Sequence, residues 1–304
     1  MRERALAAAA ICAAAALWGL DGVVLTPRLH ALPVLFVVFL LHAVPFLLMQ
    51  PVLGSRWRVL VRLPGRDLLV LALVAAVGGV SGTVAIVQAL FLVNFNQLSV
   101  VVMLQKLQPL FAILLAAILL RERLTARFLL WAAVAVSGGY LLTFGLHGPS
   151  FDTGDEITRA ALWAVVAAGS FGAATVLSKK LLGSLDFWQA TFGRYGMTTL
   201  ITAVLLAVTG SGFPFSAVTP THWLVILIIG LSTGSGAILL YYWGLQGVRA
   251  ITATICELCL PLSAVVFDYL VNGSRLGPAQ WLGAALMIGT ITRVTLRSSS
   301  KVDR

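Results

Sequence analysis

Apolar runs of about twenty residues follow one another along the chain, separated by short segments rich in Arg, Gly, Pro and Asp. A helix of that length crosses a hydrocarbon core of about 30 Å. Turn and charge signals divide the chain into ten such spans, at residues 5–27, 32–53, 67–92, 97–120, 126–146, 159–181, 187–209, 221–245, 251–271 and 278–296. The first begins like a secretory leader, with Arg2, Arg4 and a run of alanines, but it continues through Trp18 to Thr26. That is long enough to span, so it reads as an uncleaved first helix. The pattern predicts an all-α integral membrane protein of ten transmembrane helices.

Composition agrees with the pattern. The 304 residues are 60% hydrophobic and only 11% charged, with a mean hydropathy of +0.98, whereas soluble domains are about 25% charged. The net charge of +10 is informative through its placement. With the N-terminus inside, 16 of the 21 basic residues fall in cytoplasmic segments, among them Arg56, Arg58, Arg62, Arg66, Arg121, Arg123 and Arg127. The outer segments hold Arg28, Arg159 and Arg275, and the longest of them carries Asp152, Asp155 and Glu156. The positive-inside rule then puts both termini in the cytoplasm. The basic surplus is spent on orientation and lipid contact, not on nucleic acid. Cys12, Cys256 and Cys259 all lie in apolar runs. A lone CxxC lacks the four ligands, or three plus water, that zinc takes, so no metal site and no cofactor is expected.

The chain also repeats. A shift of 152 residues lays the second half on the first without gaps: Gly78 meets Gly230, Gly82 meets Gly234, Pro109-Leu110 meets Pro261-Leu262, and Arg123-Leu124 meets Arg275-Leu276. Leu and Ala matches come cheaply in so biased a composition; two glycines, a proline and an arginine in one frame do not. This divides the chain into residues 1–150 and 151–304. Each half has five spans, an odd number, so the halves must be inverted relative to one another. Inverted repeats put a substrate site near the midplane, between the halves.

Two five-helix halves of this kind resemble the drug/metabolite transporter superfamily, in particular its EamA-type ten-helix permeases. The resemblance is carried by Leu17-Trp18-Gly19, echoed by Ser170-Phe171-Gly172, and by the fourth span, LQKLQPLFAILLAAILLRERLT at 104–125, with its proline and acidic-basic turn. The second copy, ELCLPLSAVVFDYLVNGSRLG at 257–277, keeps the proline but has Ser274 in place of Glu122.

Polar residues inside the spans are the candidate chemistry. A lysine at the centre of a spanning helix costs about 2.5–3.5 kcal/mol, while each Leu, Ile, Phe or Val returns roughly 0.3–0.6. Fourteen such residues between Leu98 and Leu120 let the fourth span insert with Lys106 in it. An ionisable group there faces protein or water, either as a substrate contact or as a structural ion pair beside Pro109. Gln97, Val101, Gln105 and Gln108 recur at helical spacing on one face, and Gln105 meets Glu257 in the repeat frame. Pro109 and Pro261 follow these polar groups and loosen backbone carbonyls, as a water-lined cavity tolerates. Depth in the spans allows Asp21–Lys106 and Arg194–Glu257 pairs, while Asp268 and Arg194 also lie close enough to an interface to snorkel. His42 is a candidate proton relay. Trp18, Trp163, Gln88 and Tyr242 are candidate substrate contacts. The paired glycines at 78/82 and 230/234 have GxxxG spacing and suggest close helix packing.

These features predict a secondary permease of a bacterial cytoplasmic membrane that moves a small polar metabolite by alternating access, with protons as a candidate coupling ion. The resemblance implies amino acids and related metabolites, usually exported. A cationic-drug/proton antiporter relying on Glu257 and Asp21 is the alternative. An integral-membrane enzyme is disfavoured, since no span pairs a nucleophile with a base and no HExxH is present. The absence of GxxxxGK[ST] disfavours an ATP-driven pump.

Overall fold

The computed structural model describes residues 2–93, 101, 104–105, 107–146, 155–273 and 275–298. Among these the chain is helical throughout, without strands. Among the described residues, eight helices are long and apolar enough to cross a membrane: α1 (Arg2–Leu29), α2 (Val34–Val61), α3 (Gly65–Leu92), α5 (Ala126–Phe144), α6 (Asp155–Leu181), α7 (Phe187–Val208), α8 (Pro220–Gly247) and α9 (Ala250–Val271). A shorter apolar helix, α4 (Gln108–Leu119), represents the expected fourth span, and α10 (Pro278–Ser298) closes the chain. Much of the first part of the fourth span, including Gln97 and Lys106, lies outside the described residues.

Several helices depart from α-geometry where the sequence weakens it. In α3 the segment Val74–Gly82 is π-helical, and in α8 Gly230–Gly234 is too. Both end on glycines that coincide in the 152-residue frame. π-Turns inside α-helices are frequent at functional sites. Near the prolines the helical ladder changes step. Leu107 N–H bonds Leu104 O at 3.1 Å, and Leu258 N–H bonds Ile255 O at 3.2 Å, both three residues back instead of four. Consequently α9 is two helical pieces, Ala250–Cys256 and Cys259–Asn272, with Glu257 at the join.

Helix packing respects the same exchange of halves. α1 packs on α8 and on α9, while α6 packs on α3 and on α4; α2 packs on α7, and α5 on α10. Swapping the two halves returns this set of contacts to itself. The glycines of the two short tripeptides permit close approaches between helices. A Cβ on Gly19 would stand 2.7 Å from Leu260 O and 2.9 Å from Ala264 N, and one on Gly172 would stand 2.9 Å from both Gln108 O and Ala112 N. The two sets of neighbours are 152 positions apart. Gly78 and Gly82 also lie against α6, where added Cβ atoms would meet the Ala174 Cβ at 2.5 Å and the Phe171 ring at 2.8 Å. Their partners differ: Gly230 rests on Pro45, and Gly234 is crowded by its own Ile229 carbonyl.

At the end of the bundle that holds Arg2, polar ties cross between helix ends. Arg56 pairs with Asp186 at 3.1 Å, and Lys179 donates to the carbonyls of Leu245 and Gln246. Glu122, in the turn between α4 and α5, accepts the backbone N–H groups of Ala250 and Ile251 at 2.8 and 3.1 Å and lies 3.7 Å from the Arg249 Nε. It thereby caps α9 from another part of the chain, with a negative charge where the helix dipole favours one. The Glu122 side chain is only 10% exposed. Glu122→Ala is therefore expected to cost about 1–2 kcal/mol, and Glu122→Gln, which keeps one acceptor oxygen, less. Thermal unfolding of the two variants in one detergent checks the order.

Candidate functional site

A cavity of about 850 Å³ lies between the helices of the two halves. It reaches exposed Arg275 and is bordered by the C-terminal turns of α1, α5 and α9 and the start of α10. It therefore opens at the end of the bundle opposite the Glu122, Arg56 and Lys179 ties.

The polar floor of the cavity is built around Glu257, which is 8% exposed. The break in α9 presents its carboxylate to the neighbouring helices α4, α6 and α8. Gln108 Nε2 donates to one oxygen at 2.5 Å; Thr175 and Tyr241 donate to the other at 3.1 and 2.5 Å. Gln105 also lines the cavity. No salt bridge reaches Glu257 among the described residues. A carboxylate with three donors and no cation among the described residues is a strong acceptor for a further donor from a ligand.

Arg194 supplies the opposite charge from α7. It is 7% exposed, donates to the Tyr242 hydroxyl at 3.1 Å, and its guanidinium lies 5.9 Å from that ring centroid. Gly78 on α3 makes room for it: a Cβ there would come within 3.4 Å of Nη2. Ser178 is the second partner of the Tyr242 hydroxyl, at 2.9 Å. The expected Arg194–Glu257 ion pair is thus replaced by two neutral sets of partners, joined through adjacent Tyr241 and Tyr242, whose rings stand 6.0 Å apart. Both charges remain facing one cavity. Buried charge with spare hydrogen-bonding capacity in a membrane protein marks a ligand pathway.

An aromatic wall stands beside these groups. Trp18 and Tyr241 lie 5.3 Å apart, tilted by 51°, and Phe171 lines the same cavity. Asp21 lines it toward the opening and accepts from Thr26 at 3.0 Å. His42 lines it too, held by the Val38 carbonyl at 2.8 Å and by the Tyr195 ring at 5.1 Å.

Of the residues singled out in the sequence, the cavity gathers Trp18, Asp21, His42, Gln105, Gln108, Arg194, Glu257 and the helix-breaking Pro261. Pro109 lies just behind, against a smaller pocket beside Glu257. Tyr242 stands behind the wall, fully buried, and its neighbour Tyr241 takes the lining position. Gln88 is half-buried on α3 away from the lining, and Trp163 is 36% exposed on α6. Helical phase would have chosen Tyr241 over Tyr242, since it follows Gly234 by seven residues and so shares its face. Thr175 and Ser178 carry no such signal.

Similarity to known proteins follows the same outline. The sequence model of the EamA-like transporter family matches residues 5–144 and 158–296. The chain is 49% identical over 286 residues to the riboflavin transporter ImpX of Fusobacterium nucleatum subsp. nucleatum, covering 94% of this chain and 96% of that protein. It is 32% identical over 128 residues to the uncharacterized transporter YwfM of Bacillus subtilis (strain 168), covering 42% of each. A crystal structure with 18% identity superposes with a TM-score of 0.73, covering 96% of this chain and 97% of the other, and so shares the fold.

Proposed function

The chain belongs to the EamA-like transporter family, and from that premise we propose that it carries riboflavin, or a flavin closely like it, across a bacterial cytoplasmic membrane. The observation that carries this reading is the 49% identity, over 94% of the chain, to a protein named as a riboflavin transporter. Cavity chemistry supports it. About 850 Å³ suits an organic molecule of several rings and is generous for an amino acid, so the amino-acid export expected from the sequence gives way here to a flavin. The isoalloxazine ring is flat and offers its faces to Trp18, Tyr241 and Phe171. Its pyrimidinedione edge has one imide N–H between two carbonyls. Glu257 accepts from the N–H and Arg194 donates to a carbonyl. The ribityl hydroxyls then extend toward Asp21 and the opening.

Transport in this reading is alternating access between a first half at 1–150 and an inverted second half at 151–304. With both termini in the cytoplasm, the cavity faces outward, and the Glu122, Arg56 and Lys179 ties close the inner end. Rocking the halves breaks the Arg56–Asp186 and Glu122–α9 ties, which cross between them, and opens the floor around Glu257. The π-turns ending at Gly82 and Gly234 are the segments that absorb the change.

The test is binding by the purified protein in detergent, because a ligand raises the unfolding midpoint only of what it binds. Riboflavin is expected to raise the midpoint saturably, whereas glutamine, lysine and a lipophilic cation are not. A midpoint raised by an amino acid and indifferent to riboflavin would return the assignment to amino acids. One raised by the lipophilic cation alone would favour the antiporter.

A further inference from the structure

Beside the main cavity, where the broken segments of α4 and α9 face each other, lies a second pocket of about 40 Å³. It is lined by Gln105, Gln108 and Pro109 from the first half and by Thr254, Glu257 and Pro261 among the residues of the second. A water needs roughly 10–15 Å³ of such space, so the pocket has room for a small ion with a water or two and excludes a substrate of several rings. Three features give it the chemistry of a cation site. Among the described lining residues its formal charge is the Glu257 carboxylate, whose oxygens take three hydrogen bonds from neutral donors and keep the negative charge a cation meets.

The second feature is Thr254. Its side chain is fully buried, and its hydroxyl oxygen has no hydrogen-bond partner among the described residues, although a buried hydroxyl ordinarily has one. The third is the pair of helix breaks. Leu258 N–H turns to Ile255 O and leaves the Thr254 carbonyl without its helical donor. Pro109 has no N–H to give to the Gln105 carbonyl. Released carbonyls and the C-terminal end of a half-helix are what coordinate small cations in transporters of broken-helix construction.

We infer that this pocket is a monovalent cation site, filled by Na⁺ and ligated by Glu257, Thr254, the side-chain oxygen of Gln105 and carbonyls freed at the two breaks. A single carboxylate among neutral oxygens matches one positive charge. Zinc and copper prefer nitrogen and sulfur. Because Glu257 lines both the pocket and the cavity, the ion on one side orients and neutralises a group that the substrate meets on the other. Ion and substrate are coupled through one side chain. The inference goes beyond the proposed function and does not depend on the substrate being a flavin.

The experiment uses the whole purified protein without flavin, titrated with NaCl against choline chloride at constant ionic strength and pH, with the unfolding midpoint as readout. Na⁺ is expected to raise the midpoint saturably. Glu257→Gln is expected to abolish the Na⁺ response. Thr254→Val is expected to match or exceed wild type in choline, because it removes an unpartnered buried hydroxyl, yet to need about tenfold more Na⁺ for the same shift. The latter variant keeps the test decisive if Glu257→Gln fails to fold. Equal midpoints in Na⁺ and choline overturn the site, as does a Na⁺ response that survives both substitutions. Transport in vesicles that follows a pH gradient and ignores Na⁺ also overturns it, putting a proton on Glu257 instead. Riboflavin binding is measured separately, so a Na⁺ site without flavin binding sinks only the substrate, and flavin binding without a Na⁺ response sinks only the site.

Discussion

Gly172→Ala is expected to destabilise the protein by about 1–3 kcal/mol, the usual cost of forcing a group into a packed interior, while Gly169→Ala on the same helix is expected to be neutral or mildly stabilising. The residues are less than one turn apart, and helix propensity favours alanine at both. Space decides between them. A Cβ on Gly169 meets nothing within 4 Å, whereas one on Gly172 meets Gln108 O and Ala112 N at 2.9 Å, backbone atoms that cannot swing aside. To admit the methyl, α6 must move from α4 beside the helix break that holds the floor of the cavity. The first half offers the matching contrast: Gly22 has nothing within 4 Å, but a Cβ on Gly19 would stand 2.0 Å from Ser263 Oγ and 2.7 Å from Leu260 O. Gly19→Ala is expected to behave as Gly172→Ala does. Unfolding midpoints of the four variants, measured in one detergent, give the comparison. Similar losses at positions 169 and 172 would show that the close approach of α6 to α4 is not what Gly172 provides.

These glycines also show how far the sequence could be read. The short tripeptides around Trp18 and Phe171 were legible as a family resemblance, and the 152-residue repeat as a second copy of each span. What the glycine in each tripeptide does was not legible, because its contacts lie about 240 and 60 residues away along the chain. Intramembrane charge was a strong signal: Glu257, Arg194 and Asp21 all reach the cavity, since burying a charge away from both water and protein partners is too costly. Pairing between charges was not legible. Depth along a span leaves rotation about the helix axis free, and rotation is what hands Arg194 to Tyr242 and Glu257 to Tyr241. The same ambiguity exchanged Tyr242 for Tyr241. Thr175 and Thr254 give no signal in the sequence, because a threonine in an apolar helix most often bonds its own backbone. Only the meeting of three helices makes Thr175 a donor to Glu257. Lys106, with which the polar reading of the fourth span began, lies outside the described residues.

Arg194→Met is expected to weaken riboflavin binding by roughly 10- to 100-fold while leaving a folded protein, as suits a hydrogen bond made by a charged group. The fold tolerates the change because Tyr242 retains Ser178 at 2.9 Å and no carboxylate among the described residues loses an ion-pair partner. Methionine fills most of the vacated length without a charge. The loss then falls on the ligand, whose carbonyl faces an apolar wall in place of a guanidinium, in a site where little water remains to compensate. Arg194→Lys is expected to recover only part of the affinity, since a single ammonium cannot span Tyr242 and a ligand carbonyl as a planar fork can. Lumichrome locates the contact: it keeps the pyrimidinedione edge and lacks the ribityl chain. If Arg194 serves the ring, Arg194→Met weakens both compounds by a similar factor. If it serves the chain, lumichrome binding survives and the orientation of the flavin between Glu257 and Asp21 is reversed. Equal riboflavin affinity in wild type and Arg194→Met, at similar unfolding midpoints, would make Arg194 a brace for Tyr242 and leave recognition to Glu257 and the aromatic wall.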